Sequence, residues 1–330
     1  MTAPRLSAPC VTGGRHDLRI DRSRCVKARF RRSSCTKCVD ACPRAAITVM
    51  AGPEIDEKRC TGCLACTAAC PVGSIERSSI LPASLSRLTE VKGPILGCIN
   101  SEIETDALLP CLGGLSDDLL CVLVNVAPGR LRLDASRCES CDNGFIEAPL
   151  RARSAQLCDE GLFPKDREPR FLGPGDKVVR QEEGLDRRSF FSSFRKSMLS
   201  GAKSVLASLD DKGVADRSYG EKRLPGGRVL LNGIRDKLDI DRAGRFARHF
   251  EPRAMFSEAC SSCSACVAAC PTGALTRIPR AADGSETHAV PGFEARSCVS
   301  CGLCVEFCAE KAIAILPLGA GRPGGKAASP

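Results

Sequence analysis

The sequence predicts an α+β protein assembled from small cysteine-rich units: one at each end, a third α/β unit between them, and a charged linker. Three observations predict it. The 330-residue chain holds 23 cysteines, and all but Cys10 fall into three groups, 25–70, 98–158 and 260–308. The first and third groups repeat one another, the mark of a duplicated structural unit. Aromatics make up only 4% of the residues, with one Tyr and no Trp. Cores built from such a chain are aliphatic and small, and bound metal can supply the cross-linking they lack. The expected units are residues 1–90, 91–160 and 251–318, with a linker over 161–250 and a disordered Gly/Pro/Ala-rich tail over 319–330.

So many cysteines admit a disulfide framework or metal ligation. Residues 1–14 contain no apolar stretch of the kind a secretory signal needs, and no uncharged apolar run is long enough to span a bilayer. The expectation is a cytoplasmic protein with metal-binding thiolates and no membrane span. The formal charge of +9 is not read as a nucleic-acid footprint. Thiolate-ligated clusters are anionic and would offset it, and no Lys/Arg-rich run is interleaved with stacking aromatics.

The repeat is specific. Cys60-Thr-Gly-Cys63-Leu-Ala-Cys66-Thr-Ala-Ala-Cys70-Pro71 returns as Cys260-Ser-Ser-Cys263-Ser-Ala-Cys266-Val-Ala-Ala-Cys270-Pro271. Three thiolates spaced by two residues lie on one tight loop and wrap three corners of a cubane. The fourth, three residues on, points away toward a second cluster. At these residues the sequence resembles the bacterial two-cluster ferredoxins. The resemblance implies a ferredoxin-like dicluster domain at each end, with four [4Fe–4S] clusters in all. In the C-terminal domain it implies one ligand set of Cys260, Cys263, Cys266 and Cys308, and another of Cys298, Cys301, Cys304 and Cys270. Ala309 stands where the family has Pro, but that residue is not a ligand.

The N-terminal domain departs further. Cys60, Cys63 and Cys66 are in register, and the resemblance gives them Cys42 as fourth ligand. The other motif reads Cys35-x2-Cys38-x3-Cys42-Pro43, with Arg32 where the leading Cys belongs. Cys25 can supply the missing thiolate from a longer loop, giving Cys25, Cys35, Cys38 and Cys70. The alternative is a three-iron cluster or none, with Cys25 idle.

In the middle group, Cys98 and Cys111 follow short apolar runs, Cys121-Val-Leu-Val124 reads as a buried strand, and Leu131-Arg-Leu133 as another. Cys138-x2-Cys141 comes next. Strand ends would present Cys98, Cys111, Cys138 and Cys141 together as a four-thiolate site for zinc or an additional Fe–S centre. The bland alternative is a scaffold of inert buried thiols. Cys121 is expected in the core, and Cys10 and Cys158 have no assignment.

Residues 159–259 lack cysteine and are rich in charge, Gly and Pro, which suits loops. Within them, Asp186-Arg-Arg-Ser-Phe-Phe191 is read as a helix start rather than an export signal. Phe191, Phe194, Met198, Val205 and Leu209 then mark an amphipathic helix over 189–209. No G-x-G-x-x-G, P-loop or H-E-x-x-H occurs.

The expected function is intracellular electron transfer through up to four [4Fe–4S] clusters, in company with a redox partner protein. The layout is similar to that of iron–sulfur subunits serving molybdenum oxidoreductases. The rival expectation is a cysteine-dependent sulfur or redox enzyme built on the middle unit, with Cys111 as its thiol.

Overall fold

The computed structural model describes residues 18–77, 87–178, 218–277 and 290–317. Cys10, the expected helix over 189–209 and the expected disordered tail lie outside them.

The first unit runs β1 (Leu18–Ile20), α1 (Val26–Arg29), α2 (Lys37–Asp40), β2 (Ile47–Val49), β3 (Pro53–Ile55), α3 (Ala65–Ala69) and β4 (Ile75–Arg77). Its first and last strands pair antiparallel, as do the two inner ones. Helices of four or five residues have no stability of their own. Here each hangs on a cysteine loop, and the core they share with Ile47 and Ile75 includes Cys38 and Cys66.

The middle unit begins with β5 (Ile95–Cys98), β6 (Ala107–Leu109), α4 (Asp117–Val126), β7 (Arg132–Asp134), α5 (Glu147–Asp159) and β8 (Arg170–Leu172). Its strands form one parallel sheet in the order β6-β5-β7-β8. The run Cys121–Val124, expected as a strand, is the centre of α4 instead. Ser116 caps that helix by accepting from the Leu119 amide, and Asp117 and Asp118 fill its first turn, where the helix dipole favours negative charge. Cys121 is fully buried.

The structure also differs from the expected linker. Residues α6 (Gly226–Arg235) and α7 (Ile240–Phe250) are amphipathic helices. Their Leu230, Leu231, Ile234, Phe246 and Phe250 join Leu120 and Val124 of α4 in the largest hydrophobic core. Asp239 caps α7 by accepting from the Arg242 amide.

The last unit runs β9 (Pro252–Phe256), α8 (Ala265–Ala269), β10 (Leu275–Thr276), β11 (Gly292–Phe293), α9 (Leu303–Phe307) and β12 (Ile313–Pro317). It repeats the pairing of the first: outer with outer, inner with inner. The two end units touch directly. Val26 and Val72 of the first pack with Ala269 and Leu303 of the last, and the rings of Phe30 and Phe307 meet edge to face with centroids 5.3 Å apart.

Candidate metal centres

Three of the cysteine loops are entered through the same device: a strand, a turn pinned by a polar side chain, then the first cysteine. After β1, Asp21 Oδ1 accepts from the Ser23 amide and hydroxyl, and the Cys25 amide donates to the Arg22 carbonyl. After β3, Asp56 accepts from the Lys58 amide, four residues before Cys60. After β11, Glu294 accepts from the Arg296 amide, before Cys298. Short polar side chains favour such turns because they replace a backbone acceptor.

Beyond the first cysteine the backbone turns left-handed. Leu64, Ser264 and Gly302 have φ of 62°, 58° and 80°, and each sits between the second and third cysteines of its loop. Ser262 and Ser300 are also left-handed. Non-glycine residues adopt this conformation at a cost of about 1 kcal/mol or more each. Such loops persist where something over-determines them, and the wrapping of a cluster is such a constraint.

The sulfurs gather into sets. Cys38 lies within charge range of Cys70, Cys25 and Cys35. Cys42, Cys60, Cys63 and Cys66 line one internal space, and Cys270, Cys298, Cys301 and Cys304 line another. Cys260, Cys263 and Cys266 interact, and Cys308 packs in the same core as Cys266. The structure thus brings Cys25 to Cys35 and Cys38, and in the three sets seen around Cys70, Cys42 and Cys270 the crossing-over cysteine joins the distant loop.

Burial pushes the Cys66, Cys301 and Cys304 thiols up to about 12, with the charges of neighbouring sulfurs adding to it. Four such groups do not ionise together unless cationic iron compensates them. Other contacts favour the thiolate. The Ala46, Ser74 and Ala312 amides donate to the sulfurs of Cys42, Cys70 and Cys308 at 3.2–3.3 Å. Sulfurs met by backbone donors in this way fit an anionic cluster.

In the middle unit, β5, β6 and β7 are adjacent parallel strands, so their carboxyl ends share one edge of the sheet. Cys98 closes β5, Cys111 follows β6 and Cys138 follows β7. With Cys141 they line a single space. Among the described residues no three His, Cys, Asp or Glu side chains converge closely enough to hold a single metal ion. Cys121, in α4, and Cys158, on α5, stand apart.

One signal in the sequence bears on this site. Leu18-Arg-Ile-Asp-Arg-Ser-Arg-Cys25 is echoed by Leu131-Arg-Leu-Asp-Ala-Ser-Arg-Cys138. The structures coincide as well: Asp134 Oδ1 accepts from the Ser136 amide at 3.0 Å and its hydroxyl at 2.6 Å. The Cys138 amide donates to the Ala135 carbonyl. The entry to Cys138 is therefore the same strand–Asp–x–Ser–x–Cys turn as the entry to Cys25.

Residues 31–74 and 259–315 match the 4Fe-4S dicluster domain. No curated protein matches the chain, nor does any solved structure. This is an iron–sulfur protein. It carries two 4Fe–4S dicluster domains in tandem, one toward each end, and multiple [4Fe–4S] clusters. The N-terminal match starts after Cys25, the residue at which the loop departs from the common spacing. Among the described residues no helix is long and apolar enough to cross a membrane.

Proposed function

We propose that the protein relays electrons between redox partners through four [4Fe–4S] clusters, as a subunit or partner of a redox enzyme in a reducing compartment. The ligand sets are Cys25, Cys35, Cys38 and Cys70; Cys60, Cys63, Cys66 and Cys42; Cys298, Cys301, Cys304 and Cys270; and Cys260, Cys263, Cys266 and Cys308. The observation that carries the reading is the gathering of these cysteines into sets, all but Cys25 within the two matched dicluster stretches and all but Cys263 buried or half-buried. The chain's own contribution is to hold the sulfurs, screen them from water and aim amide donors at them, which together set cluster potentials. The rival reading, a reactive Cys111, is weakened by its setting. Burial pushes that thiol up to about 12, the reverse of what an activated nucleophile needs.

The test is iron, sulfide and zinc analysis of anaerobically purified protein, with EPR after reduction. Cys270→Ala should cost about four iron atoms per chain. The loss should fall on the cluster at Cys298, Cys301 and Cys304, while the one at Cys260, Cys263 and Cys266 keeps its signal. Loss confined to the Cys260 loop would reverse the pairing, and zinc in place of iron would end the proposal.

A further inference from the structure

We propose that Cys98, Cys111, Cys138 and Cys141 hold a fifth [4Fe–4S] cluster, and that it forms one end of a single unbranched line of five sites. This deepens the relay reading and rests on it only for the purpose of the line, not for the existence of the site.

Four observations select a cluster over zinc or inert thiols. The first is size. The space these four cysteines bound is about 20 Å³, the same as each of the two spaces lined by dicluster cysteines. The second is convergence: a tetrahedral ion needs its four sulfurs gathered about one point at ~2.3 Å, and no such gathering occurs among the described residues. The third is the donors aimed at the sulfurs. Asn100 Nδ2 and the Asn143 amide donate to Cys141 at 3.4 and 3.5 Å. Amides of Asn100 and Gly113 reach Cys98 and Cys111. Inert thiols need no such surround; anionic ligands do. The fourth is the turn before Cys138, which copies the one that delivers Cys25.

The order of the line is read from contacts between sets. Gly113, two residues after Cys111, lies against the Cys63 carbonyl oxygen. The short helical turn after Cys111 lies on the Cys60–Cys66 loop, and Asn143 Nδ2 donates to the Thr61 carbonyl at 3.3 Å. Within the first domain Cys38 and Cys66 share one core. Across the contact between domains Cys35 and Cys301 pack against the same core, and within the last domain Cys266 and Cys304 share another. From one end, the sites follow as the Cys260, Cys298, Cys35, Cys60 and Cys98 sets. At the Cys260 end Cys263 is exposed, and at the other end Cys98, Cys138 and Cys141 are half-buried.

The experiment uses the full chain, reconstituted anaerobically with iron and sulfide. Wild-type protein should hold about twenty iron atoms, five cubanes' worth, with no stoichiometric zinc. The Cys138→Ala/Cys141→Ala double variant should hold about four fewer and keep the EPR of the dicluster domains. The wild-type count needs no variant to fold. About sixteen iron in the wild type, with or without one zinc, would overturn the fifth cluster. For its place in the line, the reduced fifth cluster should show magnetic broadening from the cluster at Cys60–Cys66. Cys60→Ser/Cys63→Ser should remove that broadening while the fifth cluster's own iron stays. A sharp, uncoupled signal in the fully loaded wild type would overturn the order. If the protein proves not to relay electrons, the iron count still decides the site.

Discussion

At Gly113 one added carbon would sit 2.3 Å from the Cys63 carbonyl oxygen and 2.8 Å from Ile146 Cδ1. The first neighbour is backbone of a cysteine loop and has nowhere to move. The closeness of the middle unit to the Cys60–Cys66 loop therefore depends on the missing side chain, not on an unusual backbone conformation. Gly113→Ala should lower stability by about 1–3 kcal/mol, as overpacking does, and reduce the magnetic coupling between the two sites. Gly233, in α6, faces nothing within 4 Å, so Gly233→Ala should be neutral or stabilising by about 0.5–1 kcal/mol. Thermal unfolding of the two variants makes the comparison; equal effects would mean that Gly113 does not set the contact. At this scale the sequence was legible where chemistry dictates spacing. Cysteines around a cubane admit few separations, so Cys60–Cys70 and Cys260–Cys270 read directly. Gly113 could not be read, because its neighbour comes from another unit.

Among the elements, the two departures from expectation have physical causes. Cys121–Val124 is apolar at every position, and so short a run has no period to separate helix from strand. The deciding signal lay outside it, in the capping Ser116 and the acidic first turn. In α6 the opening Pro225-Gly226-Gly227 resembles a loop, yet Pro is tolerated at a helix start, and the apolar Leu230, Leu231 and Ile234 that follow are buried. The echo of residues 18–25 in 131–138 was present in the sequence, but it ties a strand of one sheet to a strand of another and shows its meaning only when both turns are seen. Arg228 shows what α6 does. It is buried, pairs with Asp118 of α4 at 3.2 Å, and donates to the carbonyls of Phe250 and Cys298 at 3.1 and 3.0 Å. It thus joins the middle core to a cysteine loop. Arg228→Ala leaves Asp118, which is half-buried, and both carbonyls without this partner, and loss of hydrogen bonds to a charged group costs about 1.5–3 kcal/mol. The expected result is a lower unfolding midpoint together with a perturbed EPR signal from the Cys298 cluster. A midpoint shift with that signal unchanged would confine Arg228 to stability.

For the molecule as a whole, the two dicluster domains are far apart in sequence yet packed against each other, and this contact joins the two halves of the line. It is made by Val26, Val72, Ala269 and Leu303, by Phe30 on Phe307, and by Arg29, which donates to the Ala269 carbonyl at 3.2 Å. Ser34 donates from its amide to Glu306 at 3.1 Å. Cys35, Cys70 and Cys301 pack beside these residues, but the aromatic pair contains no ligand, so the contact can be loosened without removing one. Phe30→Ala/Phe307→Ala removes the aromatic pair, worth about 0.5–1.5 kcal/mol beyond its buried area. Iron and sulfide content should be unchanged in this variant. The magnetic interaction between the Cys35 and Cys298 sets should weaken, and an electron supplied to one domain should reach the other more slowly by stopped-flow. The two readouts are linked, because both depend on the separation of the same two sites. Coupling and transfer at wild-type values, with both rings gone, would mean that the domains are held by the remaining contacts alone. Loss of transfer with coupling intact would instead place the junction of the line somewhere other than Cys35 and Cys301.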